Sequence, residues 1–379
     1  MKAPKPDHAA PRPEAHVAAA TLVCLPHMTP ARLRTLLDRY RGPVGALRAV
    51  RHGWFVPHNA RGEPRPDLGA EWRRTAMGLS MGPLLDRRGT RVLLDGEADY
   101  PIADDIEYRP PVLLAEGAGS GAFDRPRVAI VGTRAATPHG LADASELGAF
   151  LAQRGVTVVS GLAIGIDAAA HHGALHAGGL AVGVVATGLD VVYPRRHHAL
   201  FDRVRSRGLI VSESGFGVTP TPARFPVRNR IIAALADVVV VVEATLKGGA
   251  RITAERALEY DRPVLAVPGS RRNPSAEGAN ALLADGAHPL LEPEDVLLAL
   301  GLTPGVRRGW AGRHVDDRAA PTGLAARVFR AFGGEPATVD QLVTRTASNL
   351  DDVAVALDEL DRHGWASRDR GLWWPGDPP

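Results

Sequence analysis

At 379 residues and 45% hydrophobic content the chain is long enough for two or three domains, and its formal charge of +3 is too small to identify a nucleic-acid partner by itself. Its single cysteine, Cys24, excludes an intrachain disulfide framework and a thiolate metal cluster. No apolar run reaches the roughly 18 residues of a membrane span, and the opening MKAPKPDHAAPRPEAH lacks the apolar core of a secretory signal, so a soluble cytoplasmic protein is expected.

The only lysines are Lys2, Lys5 and Lys247, so the placement of arginines carries the information about function. Residues 1–16, rich in proline and alanine, are expected to be a disordered tail. From Val17 the pattern is helical, with Leu22 and Leu25, then Leu33, Leu36 and Leu37, then Val44, Leu47 and Val50, punctuated by Pro30 and by Gly42 and Pro43. This spacing predicts a small helical domain in 17–120. RVLLDG at 91–96 and PPVLLAEG at 110–117 read as short strands in a connector that ends it.

The centre has a different grammar. Aliphatic segments at 128–131, 156–159, 181–185, 209–211, 238–242 and 264–267 alternate with alanine-rich intervals of helical length. Continuous rather than alternating apolar strands are buried on both faces, which predicts a doubly wound α/β domain with a mainly parallel sheet over 121–303. Residues 304–321 read as a linker of mixed charge. Beyond it, Thr338 to Gln341 has the spacing of a capping box, and Ser348 to Asp351 can cap a second helix with Leu350, Val353, Leu357 and Leu360 on one face. ASRDRGLWW reads as a tight hairpin, so 322–379 is predicted to be winged-helix-like.

Three strand ends carry candidate chemistry. In VAIVGTRAATPHG, Gly132 permits a sharp turn, Thr133 offers a hydroxyl and Arg134 a charged fork for an anion. In VVSGLAIGIDAAAHHGAL, Ser160, Gly161 and Gly165 form a second loop wall, with Asp167 placed to cap the next helix and His171 one turn on. In FPVRNRIIAALAD, Arg228, Asn229 and Arg230 sit near a helix start, where unpaired amides favour an anion, and Gly248, Gly249 and Thr253 repeat the device at the next helix. Ligands of parallel sheets bind beyond the carboxyl ends of the strands, and Gly132 to Arg134, Ser160 to Gly165, Thr187 to Pro194 and the loop after Glu243 all belong to that edge. Neither G-x-G-x-x-G nor a Walker A loop occurs, so no nucleotide cofactor is indicated. His171, His172, His197 and His198 lack metal-ligand spacing, and Ser160 lacks a nucleophile elbow, so no catalytic residue, metal or other cofactor is assigned.

The segments VAIVGTR, VVSGLAIGIDAAAH, ATGLDVVYP, SESGFG, FPVRNRIIAALAD, VVVEATLKGGARITAERALEYDRPVLAVPG and GANALLADGA, in order across 127–287, closely resemble the DNA-processing protein A family, also called Smf or DprA. The resemblance implies a Rossmann-like central domain, an N-terminal domain that is SAM-like or helix-hairpin-helix-like, and a winged-helix-like terminus. It also implies a non-enzymatic homodimer that binds single-stranded DNA without strong sequence preference and loads RecA recombinase during DNA uptake and natural transformation. Single-strand-binding protein is a candidate further partner.

By the same resemblance Arg134 and Arg195 are the leading DNA contacts. Phe225, Arg228, Asn229 and Arg230 form the family's FP-x-RNR segment, and Gly132, Thr133 and Gly249 line phosphate subsites. The alternative is a nucleotide-processing hydrolase of the phosphoribohydrolase-like class, in which Glu243 and Asp167 would position a nucleotide and a water. Its P-G-G-x-G-T-x-x-E signature is absent. The sequence departs from the family pattern at His197, Gly248 and Arg251, and LPHMTPARL lacks the glycines of a helix-hairpin-helix turn.

Overall fold

Prolines open the first helices of this computed structural model, which describes residues 12–59, 61–302, 321–333, 336–369 and 371–375. Helices α1 (Glu14–Val23), α2 (Pro30–Arg39), α3 (Pro43–His52), α4 (Pro66–Gly78) and α5 (Met81–Arg88) come first. Thr29 caps α2 by accepting from the Arg32 amide at 3.2 Å, and Gly53 ends α3 with a left-handed φ of 72°. Helix α1 starts at Glu14, inside the expected tail, whose first eleven residues lie outside the described set. Leu22, Leu36, Trp72 and Leu85 are fully buried and share one core with Leu114 and Ile210 of the sheet, so the helical layer covers one sheet face.

Strands β1 (Arg91–Leu94) and β2 (Val112–Glu116) pair antiparallel and join the central sheet rather than only connecting to it. The winding proper runs β3 (Arg127–Val131), α6 (Pro138–Gln153), β4 (Thr157–Ser160), α7 (Ile166–His176), β5 (Ala181–Val184), α8 (His198–Arg207), β6 (Leu209–Ser212) and α9 (Arg224–Leu235). It continues through β7 (Val238–Val241), α10 (Gly249–Glu259), β8 (Val264–Ala266), α11 (Glu277–Ala284), β9 (His288–Pro289) and α12 (Glu294–Ala299). The nine strands are ordered β1-β2-β6-β5-β4-β3-β7-β8-β9, and every pairing from β6 to β9 is parallel. Every residue of β4 to β8 is buried, the two-sided burial that the unbroken aliphatic runs require.

Strand order reverses at β3, which has β4 on one side and β7 on the other. The chain therefore leaves β3 and β7 in opposite directions and opens a crevice at their carboxyl ends.

Residues 306–379 form a separate compact unit, and the linker expected at 304–321 lies outside the described residues except for Pro321. Its helices are α13 (Gly323–Ala331), α14 (Val339–Thr346) and α15 (Leu350–Arg362), followed by the hairpin β10 (Ala366–Asp369) and β11 (Leu372–Pro375), a winged-helix-like arrangement. The capping box is present in full, with Thr338 and Gln341 each bonded to the other's amide. Val353, Leu357 and Leu360 are buried, whereas Leu350, expected on the same face, is 54% exposed because it lies in the first turn, short of the core. Among the described residues no helix is long and apolar enough to cross a membrane.

Candidate nucleic-acid interface

A cavity of about 310 Å³ occupies the crevice at the ends of β3 and β7. Its first wall is the turn after β3. A Cβ on Gly132 would lie 2.4 Å from Ile166 and 2.8 Å from the Glu243 carbonyl, so only glycine lets the two strand ends approach. The Thr133 amide then donates to that carbonyl at 2.7 Å, and its hydroxyl accepts from the Ala135 amide at 3.2 Å, which fixes the turn that presents Arg134. Across the cavity stand the first turns of α9 and α10, neither of which has a side-chain cap. At α9 the Arg224 and Phe225 amides already donate to the Thr221 and Pro222 carbonyls at 3.0 and 3.4 Å and Pro226 has no amide hydrogen, so it is the start of α10 that offers an anion backbone donors.

Arg228 occupies the floor and is only 5% exposed. Its Nη1 donates to the Gly161 carbonyl at 2.7 Å and to the Val184 carbonyl, and its Nε donates to Asn229 Oδ1 at 3.2 Å. Asn229 in turn donates to the Gly249 carbonyl at 2.9 Å, which ties α9 to α10. A Cβ on Gly161 would lie 2.5 Å from the Arg228 guanidinium, so this glycine makes room for the buried cation. Asp167 accepts from the Gly161 and Ala163 amides at 3.0 and 3.4 Å; these bonds tie it to the loop before α7, not to the free amides of the helix start that its position suggested, and α7 has no side-chain cap. Burial raises the Asp167 carboxyl above its ordinary value against the pull of Arg228, and burial lowers the Arg228 guanidinium to about 10.

The rim is where charge reaches solvent. The exposed Arg134 lies with its guanidinium 4.8 Å from the Phe225 ring centre, and Tyr193 stands 5.6 Å from the same ring on its other neighbour, the loop after β5. Arg195, two residues beyond Tyr193, is exposed at the start of a short 3-10 turn. The cavity gathers Gly132, Thr133, Arg134, Phe225, Arg228, Asn229, Gly249 and Thr253 from three separate sequence segments. Ser160, Gly161, Gly165, Arg195 and Arg230 do not line it. Ser160 bonds the Ile130 carbonyl at 2.6 Å inside the sheet, Gly165 carries a φ of 85° against the Thr133 carbonyl, and Arg230 pairs with Glu213 and the Tyr108 carbonyl. Sequence inspection placed Tyr193 only within the loop Thr187 to Pro194 and missed Thr245, which carries no motif of its own.

Glu243 belongs to the scaffold. Its carboxylate accepts from the Thr137 amide at 2.9 Å and hydroxyl at 2.7 Å, anchoring the start of α6, and it does not line the cavity. The water-positioning role required by a hydrolase therefore has no carboxylate aimed at this site from that strand. His171 is fully buried, and burial pushes its imidazole down to about 3, so it stays neutral.

Comparison with known proteins gives consistent results. A family model described as DNA recombination-mediator protein A matches residues 91–301. The protein Smf of Synechocystis sp. is 33% identical over 318 residues, covering 76% of this chain and 80% of that relative. DNA processing protein A of Streptococcus pneumoniae, known from an X-ray structure, is similar over 76% of this chain and 98% of its own, with a TM-score of 0.59 at 28% identity. DNA processing protein A of Helicobacter pylori, whose structure was described for its single-stranded DNA binding mode, is similar over 56% of this chain and 95% of its own, with a TM-score of 0.50 at 31% identity.

Proposed function

The chain belongs to the DNA recombination-mediator protein A family, and from that premise we propose that it binds single-stranded DNA with little sequence preference and loads RecA recombinase onto it during DNA uptake. The observation that carries the proposal is the switch-point cavity, where the uncapped start of α10 faces Arg134 set over the Phe225 ring. Phosphate fits the amides and the guanidinium, while the Arg134, Phe225 and Tyr193 planes offer a stacking surface that every base satisfies. Neither device reads a base edge, so at this cavity the hold on the strand comes from charge and stacking.

The exposed Arg195 extends the phosphate track along the rim. Arg228, Asn229, Gly161 and Gly165 act behind it by holding the loops in place, and Arg230 acts through Glu213. In this assignment the protein works in the cytoplasm as a homodimer without cofactor or metal, and RecA and single-strand-binding protein are its partners. The winged-helix-like unit offers protein rather than DNA a surface, because Asp351, Asp352, Asp358 and Asp361 are exposed on α15.

The test is RecA filament assembly on DNA already coated with single-strand-binding protein, with and without this chain. Faster nucleation supports loading, and no acceleration across protein and salt concentrations refutes it. Anisotropy titrations at several salt concentrations separate the two halves of the proposal, since binding must favour single strands over duplex and weaken as salt rises.

A further inference from the structure

A second and larger cleft, of about 570 Å³, lies on the other side of the first turn of α9, between the loop joining α1 to α2 and the carboxyl ends of β5 and β6. Its volume falls in the range of small-ligand sites. The walls are mostly apolar, among them Leu25, Met28, Val112 and Val227. One acidic group interrupts them. The Glu213 side chain is 11% exposed, its Oε2 is held by Arg230, and Oε1 remains as an acceptor. The half-buried Arg224 reaches in from α9, donates to Ser214 Oγ at 3.4 Å and lies near enough to Glu213 for its charge to favour the carboxylate. The two cavities meet at Arg228, which lines both, so the first turn of α9 is a partition with a binding space on each face.

We propose that this cleft is a base subsite for the strand held at Arg134, and that it takes a nucleobase carrying an exocyclic amino group in preference to thymine. The inference rests on the single-stranded DNA reading above. A nucleotide whose phosphate sits at Gly132 and Arg134 has its neighbour at the α9 partition, and an apolar slot removes that neighbour's base from water. A carboxylate oxygen accepts a hydrogen bond from the amino group of cytosine, adenine or guanine. Thymine presents two carbonyl oxygens around its single imino group, and these face the carboxylate with like partial charge. The Arg224 guanidinium, at the cleft mouth, is placed for the phosphate of the same nucleotide.

Cys24 lines this cleft and is the only cysteine in the chain, so modification of its thiol reports occupancy directly. The experiment compares modification by a neutral thiol reagent at one fixed pH, with the protein saturated by oligo-dC or by oligo-dT of equal length. Oligo-dC is expected to slow the reaction about fivefold more than oligo-dT, the difference one net hydrogen bond makes. Val227→Trp, a change at a 45% exposed rim position that fills the cleft, should abolish that difference and the accompanying preference in affinity. Equal or absent protection while both oligonucleotides bind would overturn the subsite and leave the DNA-binding proposal standing. Protection by free dCMP but not by oligo-dC would overturn it in favour of a free-nucleotide site. Absence of any DNA binding would remove both proposals together.

Discussion

The Arg134 guanidinium lies 4.8 Å from the centre of the Phe225 ring, joining the turn after β3 to the first turn of α9, 91 positions later in the chain. The contact holds a long, exposed side chain over the cavity mouth. A preformed cation above an aromatic plane gives up less side-chain freedom when a phosphate arrives, which favours binding.

Arg134→Ala should lower affinity about tenfold or more for unrelated single-stranded sequences alike and make binding less sensitive to salt, with circular dichroism and oligomeric state unchanged. Arg195→Ala should behave in the same way. If the double variant loses more or less than the sum of the two, the residues grip the same segment of strand. Unaltered affinity in Arg134→Ala would reject the assignment of that residue.

Removing the ring separates stacking from charge. Phe225→Leu keeps an apolar side chain and should weaken binding by about 1–3 kcal/mol, the usual worth of one base stacked on an aromatic side chain. The salt dependence of the remaining binding should match that of the parent, because no phosphate contact is lost; a shallower slope would show that Arg134 had moved with the ring.

Gly161→Ala tests the buried scaffold. A methyl group there lies 2.5 Å from the Arg228 guanidinium, which has nowhere to retreat between the Gly161 and Val184 carbonyls. Displacing a buried, bonded cation is expected to cost about 3 kcal/mol, read as a lowered urea midpoint with an unchanged m-value. Stability equal to the parent's would show that Arg228 does not need its present position.

His171 predicts an acid limb of the stability curve. Burial depresses its imidazole from the ordinary 6.5 to about 3, so the folded protein binds this proton later than the unfolded chain does. The contribution is complete above pH 6.5 and is lost as pH falls from there towards 3, at about 1.4 kcal/mol per pH unit within that window. His171→Leu should flatten this stretch in denaturation curves measured at several pH values. A parallel slope in the variant would assign the acid sensitivity to other groups.

Much of this molecule was legible before any coordinate. Six aliphatic runs free of polar alternation require burial on both faces, and six such runs separated by helical lengths leave a parallel doubly wound sheet as the solution. Local chemistry is equally direct: Thr338 and Gln341 close a capping box because they stand three positions apart at the start of a helix. Gly132, Thr133 and Arg134 are adjacent in sequence, so their shared turn could be read as a unit.

Which arginine faces solvent and which is buried was a different kind of question. Arg228 and Arg230 are alike in the sequence, yet one fills a hole left by Gly161, 67 residues earlier, and the other answers the carboxylate of Glu213. Those partners come from other strands, and only the stacking of β4, β5 and β6 decides their distance. The same holds for Glu243, which the sequence offers as a catalytic carboxylate and the fold engages at the start of α6. Strands β1 and β2 look like a connector because two short runs carry no sign of what they pair with, and it is β6, far along the chain, that makes them the edge of the sheet. Periodicity, caps and turns act over a few residues and are written in order along the chain. The direction of a charge depends on which groups arrive beside it from elsewhere, and packing alone supplies that.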